Sequence, residues 1–121
     1  MIYELHEDDR GSFQELAHSE DVKFGQLSLL KVNPSCVRGG HYHTRKQEWF
    51  CCIRGICATE MTDIRDNTKR TVIMEENEQE FICVKPYESH IVHNLSESTV
   101  CELLVIISEP YNPDDADTFT K

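Results

Sequence analysis

The sequence predicts an all-β fold, a sandwich or barrel of short strands. Runs rich in Val, Ile, Leu, Phe and Tyr recur at roughly ten-residue spacing with turn-forming residues between them. No stretch sustains the apolar period of about 3.6 residues that marks an amphipathic helix.

Taken in order, the expected strands are "IYEL", "GQLSLLKV", the histidine-bearing "HYH", "EWFCCI", "ICATEMTDI", "RTVIMEE", "EFICVK", "HIVHN" and "VCELLVIIS". "RDNTK", around Asp66 and Asn67, has hairpin chemistry because Asx residues tolerate the left-handed backbone region. "NPS" at 33–35 and "KPYE" at 85–88 hold prolines, which cannot donate to a strand ladder, so both are read as turns or strand edges. "VCELLVIIS" places Cys101, Leu103, Val105 and Ile107 on one face and Val100, Glu102, Leu104 and Ile106 on the other. Both faces are largely apolar, so this strand is expected to be covered twice, by the core and by a second sheet or subunit. The tail "EPYNPDDADTFTK" reads as irregular, and the whole chain, 1–121, as one domain.

A chain of 121 residues buries roughly two thirds of its unfolded surface and needs no covalent staples. The formal net charge of −10 repels nucleic acid and anionic membrane, so a phosphate-bearing ligand would need a local basic cluster. No basic segment leads into an apolar run near the start, and no run of about 18 apolar residues exists, which points to a cytoplasmic protein. The six cysteines lie mostly in apolar strand-like runs without a CxxC pair, and are read as buried free thiols.

The segment that carries chemistry is "RGGHYHTRKQEWF". Alternate side chains of a strand share a face, so His41 and His43 project together while Tyr42 points away. Glu48 stands five residues after His43, on the wrong face for a straight strand. If the polar "TRKQ" is a hairpin tip, Glu48 opens the return strand and meets the two histidines. His90 and His93 have opposite parity, so one of them at most joins a site inside the sheet, and His90 follows the turn at Pro86 at a suitable distance. Three imidazoles and a carboxylate suit a divalent ion such as zinc, iron, manganese or nickel.

These residues resemble the cupin motifs. The first, G(X)5HXH(X)3-4E(X)6G, is matched by His41, His43, Glu48 and Gly55, with Ser35 where the pattern opens on glycine. The second, G(X)5PXG(X)2H(X)3N, is matched in part by Pro86, His90 and Asn94, in a loop one residue shorter and without its glycines. "HEDDRGSFQEL", "RGGHYHTRKQEWF", "YESHIVHNL" and "YNPDDADTF" together resemble the C-terminal cupin domain of capsular polysaccharide synthesis reductases that process UDP-4-keto-6-deoxy sugars. That resemblance implies a cupin double-stranded β-helix, a jelly-roll barrel, together with zinc at the site, a homodimer, and epimerisation of a keto sugar. No G-x-G-x-x-G is present, so reduction would fall to a separate sugar reductase. The dTDP-4-keto-6-deoxyhexose 3,4-ketoisomerases are more distantly similar and typically metal-free. Glutamine is common there near the place of Glu48, so the glutamate favours the metal-binding branch.

Epimerisation and ketoisomerisation share an enolate, which a divalent ion stabilises by polarising the carbonyl oxygen. His93 and Glu88 are the candidate proton-transfer groups. Arg38 is the first candidate for a nucleotide diphosphate, since a guanidinium grips phosphate oxygens in a fork, and Lys46 is the second. Trp49 is a candidate for stacking on a base or sugar, and Tyr42 and Asn94 complete the substrate-binding set. The competing expectations are a non-catalytic metal- and sugar-binding module and an Fe(II) dioxygenase-type cupin.

Overall fold

The computed structural model describes residues 2–121. Its elements are β1 (Leu5–Asp8), β2 (Gly11–Gln14), β3 (Gln26–Val32), β4 (Val37–Tyr42), β5 (Glu48–Arg54), β6 (Ile56–Asp63), β7 (Lys69–Glu75), β8 (Ile82–Val84), β9 (Glu88–Asn94), β10 (Cys101–Ile107) and β11 (Phe119–Thr120). There is no helix among the described residues, and hence none long and apolar enough to cross a membrane.

Two antiparallel sheets enclose the core, one ordered β3-β10-β5-β8 and the other β11-β4-β9-β6-β7, while β1 and β2 pair only with each other. Alternation along the strands sends Val32, Phe50, Cys52, Leu103 and Val105 from the first sheet against Cys57, Met61, Met74 and Val92 of the second. Each large apolar side chain buried this way contributes about 1.5–3 kcal/mol of transfer free energy.

The outer face of β10 is covered as well, by the chain itself. Leu16, Ala17 and Val22, from the segment after β2, pack on Trp49, Cys51, Phe81, Leu104 and Ile106. The expected second sheet or subunit is therefore not required there. The segment is tied down by Asp21, whose carboxylate accepts from the Tyr3 hydroxyl and from the His18 amide.

The "RDNTK" hairpin joins β6 to β7, with Asn67 at φ 63°. The "TRKQ" connection differs from expectation. Because β4 and β5 belong to different sheets, residues 43–47 cross from one layer to the other and are not a hairpin tip. "IYEL" is displaced as well, with β1 beginning only at Leu5, and the tail is not wholly irregular, since β11 adds an edge to β4. The exposed "LHED", charged, and "GSFQ", uncharged, lack the alternation that reveals a strand, and their hairpin forms through local pairing.

Candidate metal centre

The inner end of β4 is shaped by a bulge. Gly39 pairs with Ile91 and His41 with His90, leaving Gly40 as the extra residue, which re-aims His41 toward the barrel interior. Gly39 has φ 119°, and a Cβ there would stand 2.4 Å from the His90 carbonyl oxygen, so only glycine lets β4 approach β9 this closely. Ser35, at the place where the cupin pattern opens on glycine, also has a positive φ, 59°. The pattern's glycine thus marks a left-handed turn that serine occupies at some conformational cost.

His41, His43, Glu48 and His90 converge from β4, the 43–47 crossing, β5 and β9. One ligand atom from each lies within 4.8 Å of the others. His43 Nε2 is 2.5 Å from Glu48 Oε1, and His90 Nε2 is 3.7 Å from Glu48 Oε2. The His41 and His90 ring centroids are 4.6 Å apart. A tetrahedral ion with bonds of about 2.1 Å sets its ligand atoms roughly 3.4 Å apart, so small side-chain adjustments would close three of these four, or all four, onto one ion.

Protonation states agree with that use. Burial lowers His41 and His90 from the usual imidazole value, so both keep a free lone pair at neutral pH. Burial would raise Glu48, but the His43 hydrogen bond and the surrounding imidazoles outweigh it and hold the carboxyl below its usual range. Burial likewise opposes the charged form of His43, yet its bonds to Glu48 and to the Asp117 carbonyl raise its pKa in the ion-free site. Hard and borderline donors in these states fit a divalent first-row ion.

His41, Glu48 and His90 form one wall of a cavity of about 250 Å³, with His43 behind them, and its other walls are Ser28, Leu29, Leu30, Phe50, Val92, Val105 and Ile107, with exposed Arg38 at the rim. Arg38 is thus the one candidate substrate residue that lines this cavity.

The other sequence candidates lie elsewhere. Lys46 is buried in the crossing and donates from Nζ to the Ala116 carbonyl at 2.9 Å. Trp49 packs in the outer cluster, beside a separate depression lined by Glu20, Val22, Lys23 and Phe81. Tyr42 turns away from the histidines, as parity requires, and stacks on Phe119 at 5.5 Å. Asn94 staples the far end of the barrel, donating to the Val32 and Thr99 carbonyls and accepting from the Ser96 amide. Glu88 is buried and holds Arg70 in a two-pronged pair, both bonds 2.9 Å. His93 faces outward, 3.3 Å from Glu60.

Two further residues touch the site. The Glu88 carbonyl lies 3.2 Å from His90 Nδ1, and the Asp117 carbonyl 2.6 Å from His43 Nδ1. Asp117 belongs to the quoted "YNPDDADTF", but a contact across 74 positions through a main-chain oxygen leaves no mark in side-chain spacing.

A second group with metal-ligating atoms, Cys52, Cys57 and Cys101, sits within the apolar core. Hydrogen bonding among neighbouring thiols, then burial, holds Cys57 and Cys101 above the usual thiol range, so both stay neutral. All six cysteines are free, but only Cys51, Cys52, Cys57 and Cys101 are buried as expected; Cys83 is half-buried and Cys36 exposed.

A family model described as "Polysaccharide biosynthesis C-terminal domain" matches residues 6–119. The UDP-2-acetamido-2,6-beta-L-arabino-hexul-4-ose reductase of Pseudomonas aeruginosa is 27% identical over 115 residues, which cover 95% of this chain and 30% of that protein. The spore coat polysaccharide biosynthesis protein SpsL of Bacillus subtilis is 27% identical over 120 residues, covering 93% of this chain and 79% of SpsL. The chain therefore spans about a third of the reductase and most of SpsL. Among solved structures, NovW, a 4-keto-6-deoxy sugar epimerase of Streptomyces spheroides, superposes with a TM-score of 0.84 at 18% identity, over 98% of this chain and 66% of NovW. The fold is the cupin jelly roll.

Proposed function

The chain belongs to the polysaccharide biosynthesis C-terminal domain family, and from that premise we propose that it is a metal-dependent epimerase or ketoisomerase of a 4-keto-6-deoxy nucleotide sugar, acting in the cytoplasm in surface polysaccharide biosynthesis. The observation that carries this reading is the convergence of His41, His43, Glu48 and His90 on a cavity with an arginine at its rim. The sugar-processing descriptions of the P. aeruginosa, B. subtilis and S. spheroides proteins support the substrate class.

A bound divalent ion, zinc in this proposal, supplies Lewis-acid polarisation of the ketone oxygen. The chain's own residues do the rest. Arg38 grips the diphosphate at the rim by its guanidinium fork. Leu29, Leu30, Phe50, Val92, Val105 and Ile107 keep water from the reacting carbon. A base must take the proton beside the ketone, and neither His93 nor Glu88 lines the cavity. In this reading His41 takes it, being half-buried and neutral, while buried His43, Glu48 and His90 hold the ion. Three protein ligands with an open position are the usual arrangement of catalytic zinc. Reduction of the product would fall to a reductase activity outside these residues.

The β1–β2 hairpin supports a homodimer. It joins neither main sheet, its Leu5 and Phe13 are 47% and 67% exposed, and a lone hairpin is marginal in water. A second copy covering it would double the mass in sedimentation, and a monomer at all concentrations would contradict this.

A binding module is the second reading, and one observation favours it: among the described residues, no titratable side chain other than Arg38, His41, Glu48 and His90 lines the cavity. Incubation of the zinc-loaded protein with UDP- and dTDP-4-keto-6-deoxy sugars in deuterated water separates the two. Enolisation washes deuterium into the carbon next to the ketone, and His41→Ala abolishes it with the ion retained. Tight sugar binding without exchange would sink the enzyme reading, and oxygen consumption would replace it with dioxygenase chemistry.

A further inference from the structure

The segment after β10 runs back over the 43–47 crossing, and its Asp117 is built into that crossing by both its side chain and its main chain. The carboxylate accepts from the Thr44 amide and hydroxyl at 2.9 and 2.6 Å through Oδ1, and from the Arg45 and Lys46 amides at 2.8 and 2.9 Å through Oδ2. Asp117 is 7% exposed and sits at φ 47°, a region that Asp and Asn tolerate better than most residues. The same residue's carbonyl lies 2.6 Å from His43 Nδ1. A carbonyl only accepts, so Nδ1 carries a hydrogen, and Nε2 is left facing the Glu48 carboxylate and the other ligands, where it gives up its proton when an ion takes its lone pair. Flanking contacts keep the segment in place. Lys46 Nζ donates to the Ala116 carbonyl, Phe119 stacks on Tyr42, and the Lys121 amide donates to the Gly40 carbonyl.

We propose that Asp117 is a positioning residue of the metal centre, which fixes the tautomer and aim of His43 through its carbonyl and the path of the crossing that delivers Glu48 through its carboxylate. The inference rests on the metal-centre reading above. It gives the acidic C-terminal motif a function that neither composition nor spacing suggested. Its chemistry follows from geometry: three successive amides at a chain reversal form a cradle for an anion, and here the anion is covalently part of the strap. A ligand histidine whose second nitrogen donates to a carbonyl binds its ion in one orientation, and removal of such a partner commonly weakens metal binding by about 10–100-fold.

The test uses the full chain and two readouts. Asp117→Asn keeps the size and tolerates the backbone conformation, but its amide nitrogen cannot accept from the Arg45 and Lys46 amides. Thr44→Val removes only the hydroxyl bond. Asp63→Asn is the control, an aspartate that holds the β6–β7 turn by bonding the Arg65 amide and guanidinium. Zinc affinity is measured by chelator competition, and the protonation of each His43 ring nitrogen by long-range nitrogen–proton NMR of the zinc-free protein. Asp117→Asn keeps the main-chain carbonyl but loosens the segment that aims it, so it should weaken zinc about 10–100-fold and shift the His43 Nδ1 signal as that hydrogen bond weakens, Thr44→Val should have a smaller effect, and Asp63→Asn none. Unchanged zinc affinity together with an unchanged His43 Nδ1 signal in folded Asp117→Asn would overturn the proposal. If the parent itself binds no zinc, the metal-centre reading has failed, and the Nδ1 measurement alone decides the role of Asp117. Should Asp117→Asn not fold, Thr44→Val decides by the same two readouts.

Discussion

His43 holds two bonds that want different protons. Its Nδ1 must carry hydrogen for the Asp117 carbonyl, and without an ion its Nε2 is 2.5 Å from the Glu48 carboxylate, which favours a second proton. Its pKa is accordingly raised, so the His43–Glu48 bond contributes fully below the ordinary imidazole value of 6.5 and is lost as pH rises through the elevated value. His41 and His90 are lowered by burial and behave oppositely, disfavouring the folded state as pH falls below 6.5. An NMR titration of the zinc-free protein should therefore place His43 above 6.5 and His41 and His90 below it. Glu48→Gln should bring His43 down while weakening zinc by at least about tenfold, because a neutral amide replaces the anionic ligand. A His43 midpoint unmoved by Glu48→Gln would contradict the pairing. At this scale the sequence was informative where strand parity applies: it put His41 and His43 on one face and separated His90 from His93. It was silent on Asp117 and on the Glu88 carbonyl, because main-chain acceptors are placed by tertiary structure and any residue type supplies one.

At the scale of elements, the approach of β4 to β9 decides whether His41 and His90 can meet. Gly39 stands at φ 119°, with the His90 carbonyl where a Cβ would go. Gly39→Ala should therefore cost about 2–4 kcal/mol, combining backbone strain with overpacking, and should displace His90. Thermal unfolding and zinc affinity of this variant check both, and a fully stable, zinc-tight Gly39→Ala would show that the bulge is not what aims His41. Most strands were legible because their apolar alternation survives in the fold. The "TRKQ" link was misread as a hairpin tip since local turn chemistry looks the same whether the chain returns beside its own strand or crosses to the facing sheet. Only the sheet order distinguishes the two, and sheet order is a long-range property. The coverage of β10 by residues 16–22 was hidden for the same reason: two apolar faces announce that something covers them, without saying what.

Among the described residues, the molecule offers a divalent ion two places. One is the His41, His43, Glu48 and His90 cluster beside a cavity, and the other is the Cys52, Cys57 and Cys101 cluster inside the core. Electrostatics separates them. Neighbouring thiols hold Cys52 low, but Cys57 and Cys101 are held high and would have to lose protons within apolar surroundings at a desolvation cost, whereas Glu48 is already ionised and two of the imidazoles are already neutral. The chain's charge of −10 fits the same picture: it favours cations, while the anionic sugar nucleotide proposed as substrate would meet Arg38 as the local cation at the rim. X-ray absorption spectroscopy of the protein loaded with one equivalent of zinc tests this assignment directly. The account predicts a shell of nitrogen and oxygen at about 2.0–2.1 Å with imidazole outer scattering and no sulfur, whereas a sulfur shell at about 2.3 Å, or zinc that washes away, would contradict it.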